Sequence, residues 1–136
     1  MPNTPANQPS ADGGEHQPTV LVIEDNEHIR FCMMALLVRE GYQVLTAPTG
    51  HDALAILRAP FSRIDVVILD VYLPDVSGID LCVRLRELYP SLPVIVCTGA
   101  ATAAEGARLL ELGVQRYFLK PIAPDELLAS VEATLS

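Results

Sequence analysis

Residues 66–70 read Val-Val-Ile-Leu-Asp, an unbroken apolar run closed by one carboxylate. Residues 20–25 read Val-Leu-Val-Ile-Glu-Asp, a second such run closed by two, Glu24 and Asp25. Aliphatic runs without polar alternation suit strands buried on both faces, as in a parallel sheet covered by helices. Parallel strands end on one edge, so the three acids are expected to meet in the crevice beyond the strands' carboxyl ends, where open α/β sheets bind ligands. Neighbouring carboxylates repel unless they are protonated or share a positive charge. Mg2+, an oxygen-seeking octahedral ion that keeps several waters, suits two or three of them together with a phosphate.

Further runs add to the same edge. Val94-Ile95-Val96-Cys97 ends at Thr98, followed by Gly99 and Ala100, which leave space above the sheet. Tyr117-Phe118-Leu119 ends at Lys120-Pro121 and brings a basic side chain. An acid pair, a central Asp, a Thr and a Lys-Pro pair thus stand in chain order at the ends of separate predicted strands.

From about Thr19 to Ser136 this constellation resembles the receiver domain of two-component response regulators, of the chemotaxis-regulator type. The resemblance implies a flavodoxin-like, doubly wound (βα)5 fold, with a five-stranded parallel sheet of order 2-1-3-4-5 and helices on both faces. It implies that Asp70 accepts a phosphoryl group from the phosphohistidine of a sensor histidine kinase or phosphotransfer protein. Glu24, Asp25, Asp70 and the backbone carbonyl of Tyr72 would hold Mg2+, or Mn2+ in its place, and no other cofactor is implied. Glu24 departs mildly from the family, which more often has Asp there, and is expected to act through a bound water. Lys120 and Thr98 would engage the phosphoryl oxygens. Thr98 and Tyr117 would shift together to reshape the face of the fourth helix, fifth strand and fifth helix for a downstream target. A cis Lys120–Pro121 peptide is implied, and Pro74 and Gly78 match the family's loop after the acceptor. The chemistry agrees with the residues: a carboxylate is a competent nucleophile toward phosphorus once the target's charge is neutralised and the attack is in line. A ring at Tyr72 is expected to shield the acyl phosphate from water.

The intervening pattern alternates strand and helix. Glu27–Glu40 carries Ile29, Cys32, Met33, Leu36 and Leu37 at helical spacing and stops before Gly41. Tyr42–Ala47 alternates, as an edge strand would. Thr49 with Asp52, and Ser77 with Asp80, have capping-box spacing and mark helix starts. A fourth helix, about Thr102–Leu112, contains Gly106, which costs about 1 kcal/mol relative to Ala, and is expected to be the least rigid. The fifth follows Pro124, with Asp125 and Glu126 where the helix dipole favours negative charge.

A chain of 136 residues accommodates one such domain and a tail. Residues 1–18 are rich in Pro, Asn, Gln, Gly and Ser, and ordering them would cost entropy that no burial offsets. They are expected to be a disordered tail before a receiver domain at 19–136. Starting with Met, the tail reads as a genuine N-terminus, so an output domain, if the chain is a piece of a longer protein, would follow Ser136. A net charge of −8 with nine Lys and Arg argues against direct nucleic-acid or anionic-membrane contact. Neither a signal peptide nor a span-length apolar segment is visible, which points to the cytoplasm. Cys32, Cys82 and Cys97 are expected to be buried thiols. His16, His28 and His51 read as tail or helix-surface residues, and Arg84, Arg86 and Arg108 as solvated helix faces.

Rival readings fail on particular residues. A phosphohydrolase with an Asp nucleophile needs a second Asp two residues on, and Tyr72 stands there. A degenerate receiver used only for binding would not need every site residue. A nucleotide-cradling domain lacks a Gly-rich loop after the first strand. The chain is therefore expected to be a signalling receiver that catalyses only its own phosphorylation and dephosphorylation, acting as a monomer or a phosphorylation-dependent dimer.

Overall fold

The computed structural model describes residues 17–136, and most of the expected tail lies outside the described residues. Among the described residues, five strands alternate with five helices: β1 (Thr19–Ile23), α1 (Glu27–Arg39), β2 (Gln43–Ala47), α2 (Gly50–Arg58), β3 (Val66–Leu69), α3 (Gly78–Leu88), β4 (Val94–Thr98), α4 (Ala103–Glu111), β5 (Arg116–Leu119) and α5 (Pro124–Leu135). All pairings are parallel and the strand order is β2-β1-β3-β4-β5, the expected 2-1-3-4-5 arrangement.

Burial explains that order. Every residue of β1, β3 and β4 is buried, whereas β2 alternates and β5 is only half-buried. Fully burying an aliphatic side chain is worth about 1.5–3 kcal/mol, so the continuously apolar runs take the centre and the mixed ones the edges. Successive side chains point to opposite faces. Leu21, Ile23, Val67, Leu69 and Val96 pack with Ala53, Leu81, Leu85 and Leu109 of α2, α3 and α4. Val20, Val22, Val66, Ile68, Ile95 and Cys97 pack with Met33 and Leu37 of α1 and Leu127 and Val131 of α5.

Helix starts follow their caps. Thr49, Ser77 and Thr102 each accept the N–H three residues on through the side-chain oxygen. At Thr102 the box is reciprocal, with Glu105 accepting the Thr102 N–H. Asp75, in the loop after β3, accepts the N–H groups of Gly50 and His51 at 3.0 and 2.8 Å and ties that loop to the start of α2. Burial pushes its carboxyl up, but these backbone N–H groups outweigh that and hold it below the usual carboxylate range.

Two expectations are corrected. Cys32 is exposed, unlike Cys82 and Cys97: α1 buries the Met33/Leu37 stripe, and position 32 is turned away from it. Arg86 is no solvated face residue, because its guanidinium donates to the carbonyls of Pro90 and Leu92 and clamps the turn after α3. His28 and His51 are exposed as expected.

Candidate functional site

Strands β1, β3 and β5 each end one residue before chemistry, and β4 ends on it. Ile23 and Leu69 are paired in register across β1 and β3, so Glu24–Asp25 and Asp70 leave the sheet side by side. Thr98 closes β4 opposite Leu119, the last residue of β5, which puts Lys120 beside them. Carboxylate oxygens of Glu24, Asp25 and Asp70 all lie within 4.8 Å of one another. Lys120 Nζ lies 2.5 Å from Glu24 Oε1 and 3.1 Å from Asp70 Oδ2. The remaining oxygens have backbone partners: Asn26 N–H donates to Glu24 Oε2 at 3.1 Å and Tyr72 N–H to Asp70 Oδ1 at 3.1 Å.

Glu24 and Asp70 are 2% and 6% exposed, while Asp25 is open to solvent. Burial pushes the Glu24 carboxyl above its usual range, against the pull of Lys120 and of the Asn26 N–H. For Lys120, burial works against the charge, but its bonds to Glu24 and Asp70 prevail and hold the ammonium above the ordinary lysine range. Lys120 is therefore a fixed positive charge inside an acidic pocket. Behind it, burial pushes the Cys97 thiol up to about 12, which leaves it neutral packing.

The acid cluster is an all-oxygen donor set, the kind that hard divalent cations take, and it is open to solvent at Asp25. The residues fit Mg2+ or Mn2+.

Around this centre lie the groups expected to respond to it. Thr98 is fully buried, and its hydroxyl donates to Ala100 O at 3.1 Å. Tyr117, on edge strand β5, lays its ring against α4, where a Cβ at Gly106 would collide with the Tyr117 hydroxyl. Gly106 is buried there, so it marks a close approach of ring to helix. Tyr72 is half exposed, and its hydroxyl lies 3.5 Å from Glu105 Oε1, linking the acceptor loop to the first turn of α4. The Lys120–Pro121 peptide is cis. Gly78 sits against the Asp70–Val71 backbone, where any Cβ would clash. On the other side a groove of about 810 Å³ runs between α1 and the β5–α5 connection, lined by Ile29, Cys32, Leu36, Pro121, Ile122 and Leu127 among others. Phe31 and Val38 of α1 are more than half exposed.

Glu24, Asp25, Asp70, Thr98 and Lys120 thus stand at the C-terminal edge of the sheet, Tyr72 is in the loop beyond β3, and Tyr117 lies two residues back from the end of β5, against α4. Sequence reasoning missed Gly106 as the seat of Tyr117, the Tyr72–Glu105 link and the Asp75 cap, all contacts between elements with no spacing signal. The Thr102–Glu105 box was legible and overlooked.

Comparison with known proteins agrees with this fold. Residues 20–132 match the family model for the response regulator receiver domain. The chain is 36% identical over 116 residues to the alkaline phosphatase synthesis transcriptional regulatory protein PhoP of Bacillus subtilis, covering 85% of this chain and 48% of that protein. It is 40% identical over 116 residues to the transcriptional regulatory protein KdpE of Mycobacterium tuberculosis, covering 85% and 50%. The chain spans about half the length of the curated relatives it matches. A CheY-like receiver domain protein from Methanospirillum hungatei superposes with a TM-score of 0.84 at 28% identity, over 88% of this chain and 94% of that one.

Proposed function

This chain belongs to the response regulator receiver domain family of two-component systems, and we propose that Asp70 is its phosphoacceptor. The observation that carries the assignment is the convergence of Glu24, Asp25, Asp70 and Lys120 from three separate strand ends into one pocket. A divalent cation held by Glu24, Asp25, Asp70 and the Tyr72 carbonyl would neutralise charge on the incoming phosphoryl group.

The chain's own residues account for the rest. A carboxylate oxygen of Asp70 attacks phosphorus in line; an O–P bond forms, the P–N bond of the donor phosphohistidine breaks, and the ring nitrogen keeps the electron pair. Lys120, already bonded to Asp70 Oδ2, turns its ammonium to a phosphoryl oxygen. The Thr98 hydroxyl leaves Ala100 O to bond another, which vacates space that Tyr117 can enter. Tyr117 rests on α4, so its movement reworks the α4–β5–α5 face, where Leu110 and Leu119 are exposed. That face is the proposed contact for a downstream target or output domain, or for a second receiver. The only reaction proposed is phosphorylation and dephosphorylation of Asp70.

The donor must approach from the same edge, and the apolar groove beside Lys120–Pro121 with exposed Phe31 is the proposed dock for a histidine kinase or phosphotransfer protein. No helix among the described residues is long and apolar enough to cross a membrane; action in the cytoplasm is part of the proposal.

The test is incubation with a small phosphodonor and Mg2+, followed by intact mass. The parent gains one phosphoryl group, and neither Asp70→Asn nor parent in chelator does. A phosphorylated Asp70→Asn would refute the assignment.

A further inference from the structure

Arg30 stands in the second turn of α1, and its guanidinium reaches back past the start of the helix. Nη1 donates to Glu24 O at 2.9 Å and to Asp25 O at 3.3 Å. Helical side chains lean toward the N-terminus, so a long residue at this position is aimed at the incoming loop. The two carbonyls need such a donor. The β1 ladder ends at Ile23, and α1 takes its first carbonyl from Asn26, bonded by the N–H of Arg30 itself at 2.9 Å. Glu24 O and Asp25 O fall between strand and helix, outside both ladders.

We propose that Arg30 is a positioning residue for divalent-cation binding: by fixing the peptide planes on either side of Asp25, it aims the Asp25 carboxylate into the crevice. Glu24 and Asp70 have their own restraints in Lys120, the Asn26 N–H and the Tyr72 N–H. Asp25 is exposed, and its direction depends on the backbone that carries it. The inference rests on the reading of the acid cluster as a cation site.

Geometry and charge predict opposite signs here. A guanidinium acting only through its charge repels a cation, and its removal would tighten binding. A guanidinium acting by orientation improves affinity, and its removal weakens binding.

Titration with Mn2+ alone, followed by the paramagnetic signal of the free ion and with no phosphodonor present, separates the two. Arg30→Met is expected to raise the Mn2+ Kd about tenfold, the lower end of what loss of a ligand-orienting partner does. Arg30→Lys is expected to recover part of the loss, since an ammonium can also donate to carbonyls but sits on a shorter stem and lacks the fixed planar geometry of the guanidinium. An Arg30→Met variant with parental circular dichroism and an unchanged or lower Kd would overturn the proposal. Asp25→Asn is the control: if it loses Mn2+ while Arg30→Met does not, the positioning role alone fails. If Asp25→Asn binds like the parent, the cation site itself is misread.

Discussion

Glu24 and Tyr72 show how much one side chain decides. The carboxylate of Glu24, the most deeply buried of the three acids, meets the Lys120 ammonium directly, so it holds the cation that also bonds Asp70. Sequence could name Glu24, but not this engagement, which depends on Lys120 reaching back along the sheet edge from β5, separated from β1 by two strands. Tyr72 is two residues past Asp70; its N–H already holds an Asp70 oxygen and its ring bridges to Glu105. A ring carried two residues past the acceptor would impede the water that hydrolyses an acyl phosphate. Tyr72→Asn is accordingly expected to speed dephosphorylation about fivefold, roughly 1 kcal/mol of barrier, while Tyr72→Phe, which keeps the ring, changes it little. Decay of the phosphorylated mass with time reads both, and equal decay of Tyr72→Asn and parent would rule out shielding.

At the level of elements, α4 is held from two sides at adjacent residues: Tyr72 reaches Glu105, and Tyr117 packs on Gly106. Propensity alone assigns Gly106 a cost of about 1 kcal/mol relative to Ala, which suggests a loosened helix. The fold gives the same residue another meaning, because a methyl there collides with the tyrosine. Gly106→Ala is therefore expected to destabilise by about 1–3 kcal/mol, the usual size for overpacking, instead of stabilising. In a Tyr117→Ala background the sign should reverse, with Gly106→Ala gaining about 1 kcal/mol. Urea unfolding of the four proteins as a double-mutant cycle measures this, and additive effects would show that ring and helix are independent. Strand identities, by contrast, were legible, since unbroken aliphatic runs have few alternatives to a buried parallel strand.

Across the whole molecule the sheet divides two cores, and the cysteines report that division. Cys82 is on the buried face of α3, Cys97 is in β4 behind the site, and Cys32 is on the exposed side of α1. An aromatic disulfide reagent at pH 8 is expected to titrate one thiol per native chain and three on unfolding. Raising the pH to about 9 should not add a second, because a thiol held near 12 by burial has almost no thiolate there; rapid reaction of Cys97 in the native state would contradict the core assignment. The fold class, the strand ends and the acid, hydroxyl and ammonium at them were set by the chain itself, because a continuous apolar run dictates a buried strand and the residue that breaks it must sit at the sheet's edge. Which partners those residues take was settled only by tertiary structure. Lys120 on Glu24, Tyr117 on Gly106, Tyr72 on Glu105 and Arg30 on the acid loop arise from distances between elements or across a turn, and linear spacing carries no information about which way a side chain turns once several neighbours compete for it.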